Sequence, residues 1–261
     1  MVFVLTETPQ PRPAGDGPAR SEVWFHIVLV LGVSLGSSAV YAVLNLAETL
    51  SRGPLTDAEA TLNQVLSPVP AIDLLRQLAS IGFALVPVLL ALYLLAGSLP
   101  GIAVVLLRIG VDGRRPWRDA VWGVGLFLAM GVGTLVLYQT GRALGVTAAI
   151  TTSALNEHWW TVPVLILSAL RHSVVEEIIV VAFLCDRLRR IGWSWVTIAV
   201  LTSLFRASYH LYQGFGPALG NLIMGLVFVW VYRRYGRLAP LLIAHALLDI
   251  TGFLLPQLLA R

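Results

Sequence analysis

Ser168 to Leu184 reads SALRHSVVEEIIVVAFL and lies within an apolar run, Val162–Leu184, long enough to cross a bilayer. It nevertheless carries Arg171, His172, Glu176 and Glu177. An ionisable side chain at mid-membrane costs about 2.5–3.5 kcal/mol on insertion scales. Such groups are accepted where they face a wet interior and pair there, so they mark functional sites. Two other apolar runs carry comparable groups at depth: Arg206 with His210, and His245 with Asp249. The rest of the chain reads as a scaffold that brings these three places together.

Composition supports the membrane reading. The chain is 57% hydrophobic and 12% charged, against about 25% charged residues in soluble domains. Mean hydropathy is +0.80. The net charge of +4 comes from arginines in the loops between apolar runs, because every basic residue is Arg. It is therefore not a nucleic-acid footprint, and no nucleic-acid partner is expected. The single cysteine, Cys185, excludes an intrachain disulfide and reads as a small apolar filler at a helix end.

The expected fold is all-α: a polytopic transmembrane helical bundle of about seven membrane helices, with its core in the last four. Residues 1–22, rich in proline and glycine, read as a disordered cytoplasmic tail. They do not read as a signal peptide, since the apolar run that follows is too long and no cleavage pattern ends it. Residues 23–140 hold the N-terminal transmembrane helices, 141–160 an extracytoplasmic interfacial loop and 161–256 the core.

The seven apolar runs are Val23–Leu46, Leu78–Leu99, Ala120–Tyr138, Val162–Leu184, Trp195–Tyr212, Pro217–Tyr232 and Leu238–Leu254. Each approaches the ~20 residues a span needs. Pro87 is expected to kink the second run. Gly123, Gly125, Gly131 and Gly133 are expected to permit close helix approach in the third. Very short connections predict that the last four runs form two helical hairpins. Thr56–Leu66 and Val146–Trp160 are expected to be interfacial helices or else plain surface loops, with Trp159 and Trp160 suited to headgroup depth.

The arginines alternate between the loops. Arg12, Arg20, Arg108, Arg114, Arg115, Arg118, Arg187, Arg189, Arg190, Arg233, Arg234 and Arg237 fall on one side. Arg52, Arg142 and Arg261 fall on the other, with Arg76 near a helix end. The positive-inside rule then predicts a multi-pass protein of the cell membrane, its N-terminus cytoplasmic and its C-terminus extracytoplasmic.

Counting residues from the turns places Glu177, His210, His245 and Asp249 at similar depth. The mismatch is roughly 5–10 Å at 1.5 Å rise per residue, which helix tilts of about 20° absorb. His245 and Asp249, four apart, share a helix face, as do Arg206 and His210. Glu176 and Glu177 are about 100° apart on a regular helix. They are therefore expected not to point at one spot: one faces the reaction and the other braces it, with His172 as a pairing partner for Glu176. Asn221 is level with His210 and is expected either to line the cavity or to bond between helices. Tyr209 is expected to lie on the wrong face and to pack.

A carboxylate and two imidazoles in a wet membrane cavity suit two chemistries. Glu and His can polarise a water for attack on a carbonyl while a second polar pair stabilises the oxyanion. Alternatively, the same groups hold a metal that activates the water. The HExxH, GxSxG and paired CxxC signatures are missing from the sequence.

The three polar places resemble the motifs of the CPBP (CaaX protease and bacteriocin-processing, or Abi) family of intramembrane proteases: EExxxR, FxxxH and HxxxN or HxxxD. Here they read EEIIVV (Glu176–Val181), RASYH (Arg206–His210) and HALLD (His245–Asp249), with successive key residues 34 and 35 positions apart. The resemblance spans about Val162 to Leu254. It implies an intramembrane endopeptidase, similar to type II CaaX prenyl endopeptidases, acting on a membrane-embedded or membrane-proximal protein or peptide. The catalytic residues it implies are Glu176, Glu177, His210, His245 and Asp249, with Arg206, His172 and Asn221 in support. It leaves the mechanism open between a metal-free route and a divalent metal such as zinc, for which Glu177, His210, His245 and Asp249 are the candidate ligands.

Two positions depart from the family pattern. Val181 stands where the family has Arg, and Arg206 where it has Phe. Arg206 is expected to supply from another helix the cation that position 181 lacks. If instead the motif has decayed, the alternatives are a non-catalytic immunity or scaffold membrane protein of the same fold, or a small proton-coupled transporter.

Overall fold

The structure is a computed structural model, and it describes residues 19–97, 101–155 and 158–259. The expected tail lies mostly outside the described residues; its last part, residues 20–22, is already helical.

The first apolar run is not one straight span. It forms α1 (Arg20–Gly32) and α2 (Leu35–Arg52), bent by 58° at the break. The sequence there, Gly32-Val33-Ser34-Leu35-Gly36, supplies the Gly and Ser residues at which helices kink. Ser34 Oγ donates to the Val30 carbonyl. A Cβ on Gly36 would meet the Leu31 carbonyl oxygen at 2.5 Å, so only glycine fits inside the bend.

The second run is longer than expected. Helices α3 (Pro70–Ala84) and α4 (Val86–Ala96) follow each other across Leu85 and together make one apolar stretch, Pro70–Ala96. The helical break falls beside Pro87, whose missing N–H interrupts the ladder. After α5 (Ile102–Arg108), α6 (Pro116–Ala143) starts on a proline, which suits a first helical turn.

Of the four glycines expected to admit a neighbour, Gly123 does so most tightly. A Cβ there would meet Ile243 Cγ2 at 2.6 Å. Gly131 is in ordinary contact range of Leu248, whereas Gly125 and Gly133 face open space. The expectation for those two is therefore corrected: they lie off the face that α6 presents to its partner.

The fourth run is one continuous helical rod with a change of winding: α7 (Thr161–Glu176), a π-helical segment (Glu177–Leu184) and α8 (Cys185–Arg190). Every residue from Ser173 to Leu188 except Val174 and Asp186 is buried. Then follow α9 (Trp195–Ser208), capped by Ser194 Oγ accepting from Thr197 N, α10 (Phe215–Tyr235), stopped by left-handed Gly236, and α11 (Ala239–Leu259).

Helix α10 packs on α9 and α6, but α11 packs chiefly on α6 and α7. The expected final hairpin is thus opened: despite the short turn at Gly236, α6 enters between its arms. Gly123 is the reason α11 can seat there. Among the described residues, three helices are long and apolar enough to cross a membrane, or four if the bent α1–α2 pair is one span. The rod around Glu176 and the shorter α9 and α11 complete a helical multi-pass architecture.

Of the two alternatives for Thr56–Leu66 and Val146–Trp160, the helical one is corrected among the described residues and the loop one is nearer. Residues Leu55–Asp57 form a single 3-10 turn, and β1 (Glu59–Thr61) pairs in parallel with β2 (Ala149–Thr151). Two short loops satisfy each other's backbone groups, which weak amphipathicity alone could not do. Asn63 Nδ2 adds a bond to the Thr152 carbonyl at 2.8 Å. Trp159 is 84% exposed, but Trp160 is buried beneath the start of α7, so only Trp159 has the exposure of an interfacial tryptophan.

The two ends of the bundle differ. One end gathers the α5–α6, α8–α9 and α10–α11 connections. It is tied by Arg108 to Asp186 at 2.6 Å, and by Arg237 to Asp112 at 2.7 Å and Asp119 at 2.6 Å. Arg237 holds the Asp112 carboxyl down at about 2 by hydrogen bonding, helped by the Arg114 backbone N–H. The opposite end carries the strand pair, the Leu211–Gln213 turn and the contact between Thr147 and Gly214. The main apolar core, including Leu95, Val105, Phe183, Phe228, Leu238 and Leu241, lies toward the arginine-bearing end.

Candidate active site

The three polar places meet. Glu177 Oε1 accepts from Arg206 Nη2 at 2.7 Å and lies 2.7 Å from His245 Nδ1. The same guanidinium nitrogen is 3.3 Å from Glu176 Oε2 and 3.0 Å from His245 Nδ1. One cation from α9 therefore joins both carboxylates of the rod to a histidine of α11. Arg206 is fully buried and lies over the Phe228 ring, 5.4 Å from its centroid, so the aromatic face adds to its stabilisation.

Neighbouring glutamates were expected to diverge. Here both reach Arg206 Nη2, which corrects that expectation. They sit at the junction of α- and π-helical winding, and the wider π turn reduces the angular step between successive side chains. Their surroundings still differ as expected of a working group and its brace. Glu176 lines a cavity of ≈ 220 Å³. Glu177 is 0% exposed and locked between Arg206 and His245.

Tyr209 makes a contact at the site that the sequence reading missed. Its hydroxyl donates to Glu176 Oε2 at 2.8 Å. The face count failed because α9 ends at Ser208, so Tyr209 and His210 no longer follow its wheel.

His210 Nε2 stands 3.8 Å from Glu176 Oε2, too far for a direct hydrogen bond and the right spacing for a shared water. Both ring nitrogens are buried with no hydrogen-bond partner among the described residues. His245 Nε2 lies 3.7 Å from Asp249 Oδ2. His172 does not pair with Glu176. Its Nδ1 is 3.5 Å from Asp249 Oδ2, and its Nε2 contacts Arg171. Asn221 lines a second cavity but spends its amide on its own helix, donating to the Pro217 carbonyl at 3.1 Å, so it does not bond between helices.

That second cavity, ≈ 370 Å³, lies between α6, α10 and α11. The two cavities share His210, His245, Asp249, Gln213 and Leu62 as a common wall. A water held on the Glu176 side and a peptide on the other side would meet there.

The candidate metal ligands do not suit a metal. Among the described residues, no group of three or more His, Cys, Asp or Glu side chains is disposed to hold one. The physical reason is Arg206: Glu177 Oε1 and His245 Nδ1 already contact each other at 2.7 Å, and the guanidinium charge lies against both, so neither is free for a divalent ion.

Residues 158–251 match the family model described as Rce1-like, type II CAAX prenyl endopeptidase. No curated protein and no solved structure matches the chain.

Proposed function

On the premise that residues 158–251 belong to the CPBP/Rce1-like family, we propose that this chain is an intramembrane endopeptidase that hydrolyses a peptide bond with a water activated by Glu176 and His210. The observation that carries this reading is the 3.8 Å separation of Glu176 Oε2 and His210 Nε2 on the wall of the ≈ 220 Å³ cavity. Glu176 takes the water's proton as general base, and His210 orients the water and shares that proton. The attacking oxygen bonds to the scissile carbonyl carbon, whose π electrons move to oxygen. His245 and Asp249 face the opposite side of that carbon. His245 donates from Nδ1 to Glu177 and offers Nε2–H to the oxyanion. The proton on Glu176 then passes to the leaving amine as the C–N bond breaks.

In this mechanism Glu177 and Arg206 position His245 rather than touch substrate. Two carboxylates, one guanidinium and one doubly protonated imidazole sum to zero charge. A balanced cluster is the form in which buried ions are least costly. Tyr209 holds Glu176 in place through its hydroxyl.

A proton relay would need polar groups continuing to both ends of the bundle. Toward the arginine-bearing end, Ile178 to Leu184 are all buried and apolar, which favours the peptidase over the transporter. A decayed motif would leave the cation missing, and Arg206 supplies it.

The test is a membrane proteome comparison between cells with the native chain and cells with Glu176→Gln. The proposal expects polypeptides that stay intact only in the variant and whose cut sites fall in or beside apolar segments. Identical proteomes at equal expression would overturn it.

A further inference from the structure

The mouth of the catalytic cavity and the arginine-bearing end lie at opposite ends of the molecule. The ≈ 220 Å³ cavity around Glu176 shares Ser38, Tyr209 and Tyr212 with an open cleft of ≈ 470 Å³. That cleft is polar, with Asn45, Glu48, Arg52, Glu59, Thr61 and Gln64 along it. It belongs to the end that carries the strand pair. The cavity around Glu176 therefore adjoins open space on that side.

From the other side the site is sealed. Ile179, Val181, Phe183, Phe228, Leu238 and Leu241 are buried in the apolar core between Glu176 and the arginine-bearing connections. That end presents Arg114, Arg115 and Arg118 from one connection, and Arg233 and Arg234 from another. Loop arginines gather on the cytoplasmic side of a membrane protein.

We infer that the catalytic cavity opens to the extracytoplasmic face, and that its substrates are apolar segments of exported or outer-leaflet polypeptides. This rests on the peptidase reading above and narrows its substrate class. The ≈ 370 Å³ cavity fits such a segment. It is lined by Leu135, Leu137, Met224 and Leu248, with the backbone of Gly216 and Gly220 along it. It ends on the wall of His210, His245 and Asp249 that it shares with the cavity around Glu176. A prenylated tail held at the cytoplasmic leaflet would face the sealed end.

Cysteine accessibility in the full chain tests the orientation without requiring activity. The native Cys185 is 0% exposed and stays unlabelled. Ser38→Cys and Gln64→Cys should react with a membrane-impermeant maleimide in intact cells, and Arg115→Cys only after permeabilisation. The reversed pattern would overturn the inference even if the protein cleaves peptides.

A second arm tests the substrate class. A reporter with an apolar segment presented outside the membrane should be cut at least tenfold faster than the same segment held in the cytoplasm, and maleimide on Ser38→Cys should block the cut. Preference for the cytoplasmic reporter would overturn the inference. If the labelling is as expected but neither reporter is cut by the native chain, the orientation stands, and the substrate class falls together with the peptidase reading.

Discussion

Arg206 Nη2 lies 2.7 Å from Glu177 Oε1, though the two residues are 29 positions apart and come from separate helices. The family pattern places an arginine one turn beyond the second glutamate, where this chain has the buried Val181. Here the cation comes from α9, at the position where the pattern has Phe. Phe228 of α10 then packs against the guanidinium.

This exchange makes a specific prediction. Arg206→Ala leaves two carboxylates buried beside one histidine. Breaking a buried pair in this way costs about 3–5 kcal/mol, so the variant should melt well below the native protein in detergent and lose activity. Arg206→Phe combined with Val181→Arg should recover part of both. Full stability and activity in Arg206→Ala would show that the cation is dispensable.

The two glutamates should separate by phenotype. Glu176→Gln should lower turnover by about 100-fold or more, as loss of a general base does, with a smaller fall in melting temperature than Glu177→Gln, because its side chain borders a cavity and the amide can still accept from Tyr209. Glu177→Gln should instead lower the melting temperature first, through loss of its bonds to Arg206 and His245. Paired thermal-shift and cleavage measurements distinguish them.

Tyr209→Phe removes one hydrogen bond to Glu176 and little volume. A hydrogen bond to a charged group contributes about 1.5–3 kcal/mol, so cleavage should fall roughly ten- to hundredfold while KM changes little. A KM effect with unchanged kcat would place Tyr209 in substrate binding instead.

Chelation offers a direct check on the chemistry. With Arg206 against both Glu177 and His245, which already contact each other, activity should survive 1,10-phenanthroline and EDTA. Loss of activity restored by added zinc would contradict the metal-free arrangement.

The clasp at the arginine-bearing end should be pH-dependent. Asp112 is held down at about 2 by Arg237, below its ordinary value. A lowered carboxylate contributes stability above its unfolded-state value and loses it as pH falls through the folded one. Asp112→Asn should therefore lower the melting temperature at pH 7, and the gap should close between about pH 4 and pH 2.

The convergence of Glu176, Glu177, Arg206, His210, His245 and Asp249 was legible in the sequence because bilayer burial makes each isolated charge costly. That cost admits few arrangements besides mutual pairing. Helical periodicity read well wherever a helix ran unbroken, as for His245 and Asp249. It misled at Tyr209, where α9 had already stopped, and at Glu176 and Glu177, where the winding changes. The break between α1 and α2 depended on Ser34 and Gly36, small residues that hydropathy passes over. The β1–β2 pair depended on contact between loops some ninety residues apart, which no local pattern encodes. The opened final hairpin followed from Gly123 receiving Ile243, a fit between distant surfaces.

The most direct measurement is peptide cleavage by the purified chain in proteoliposomes made up in H2(18)O, with Glu176→Gln alongside. The account predicts that the native protein cuts within an apolar segment and places one heavy oxygen in each new carboxyl terminus, while the folded variant cuts at least about 100-fold more slowly. Undiminished cleavage by Glu176→Gln, or none by the folded native protein on any apolar peptide, would contradict it.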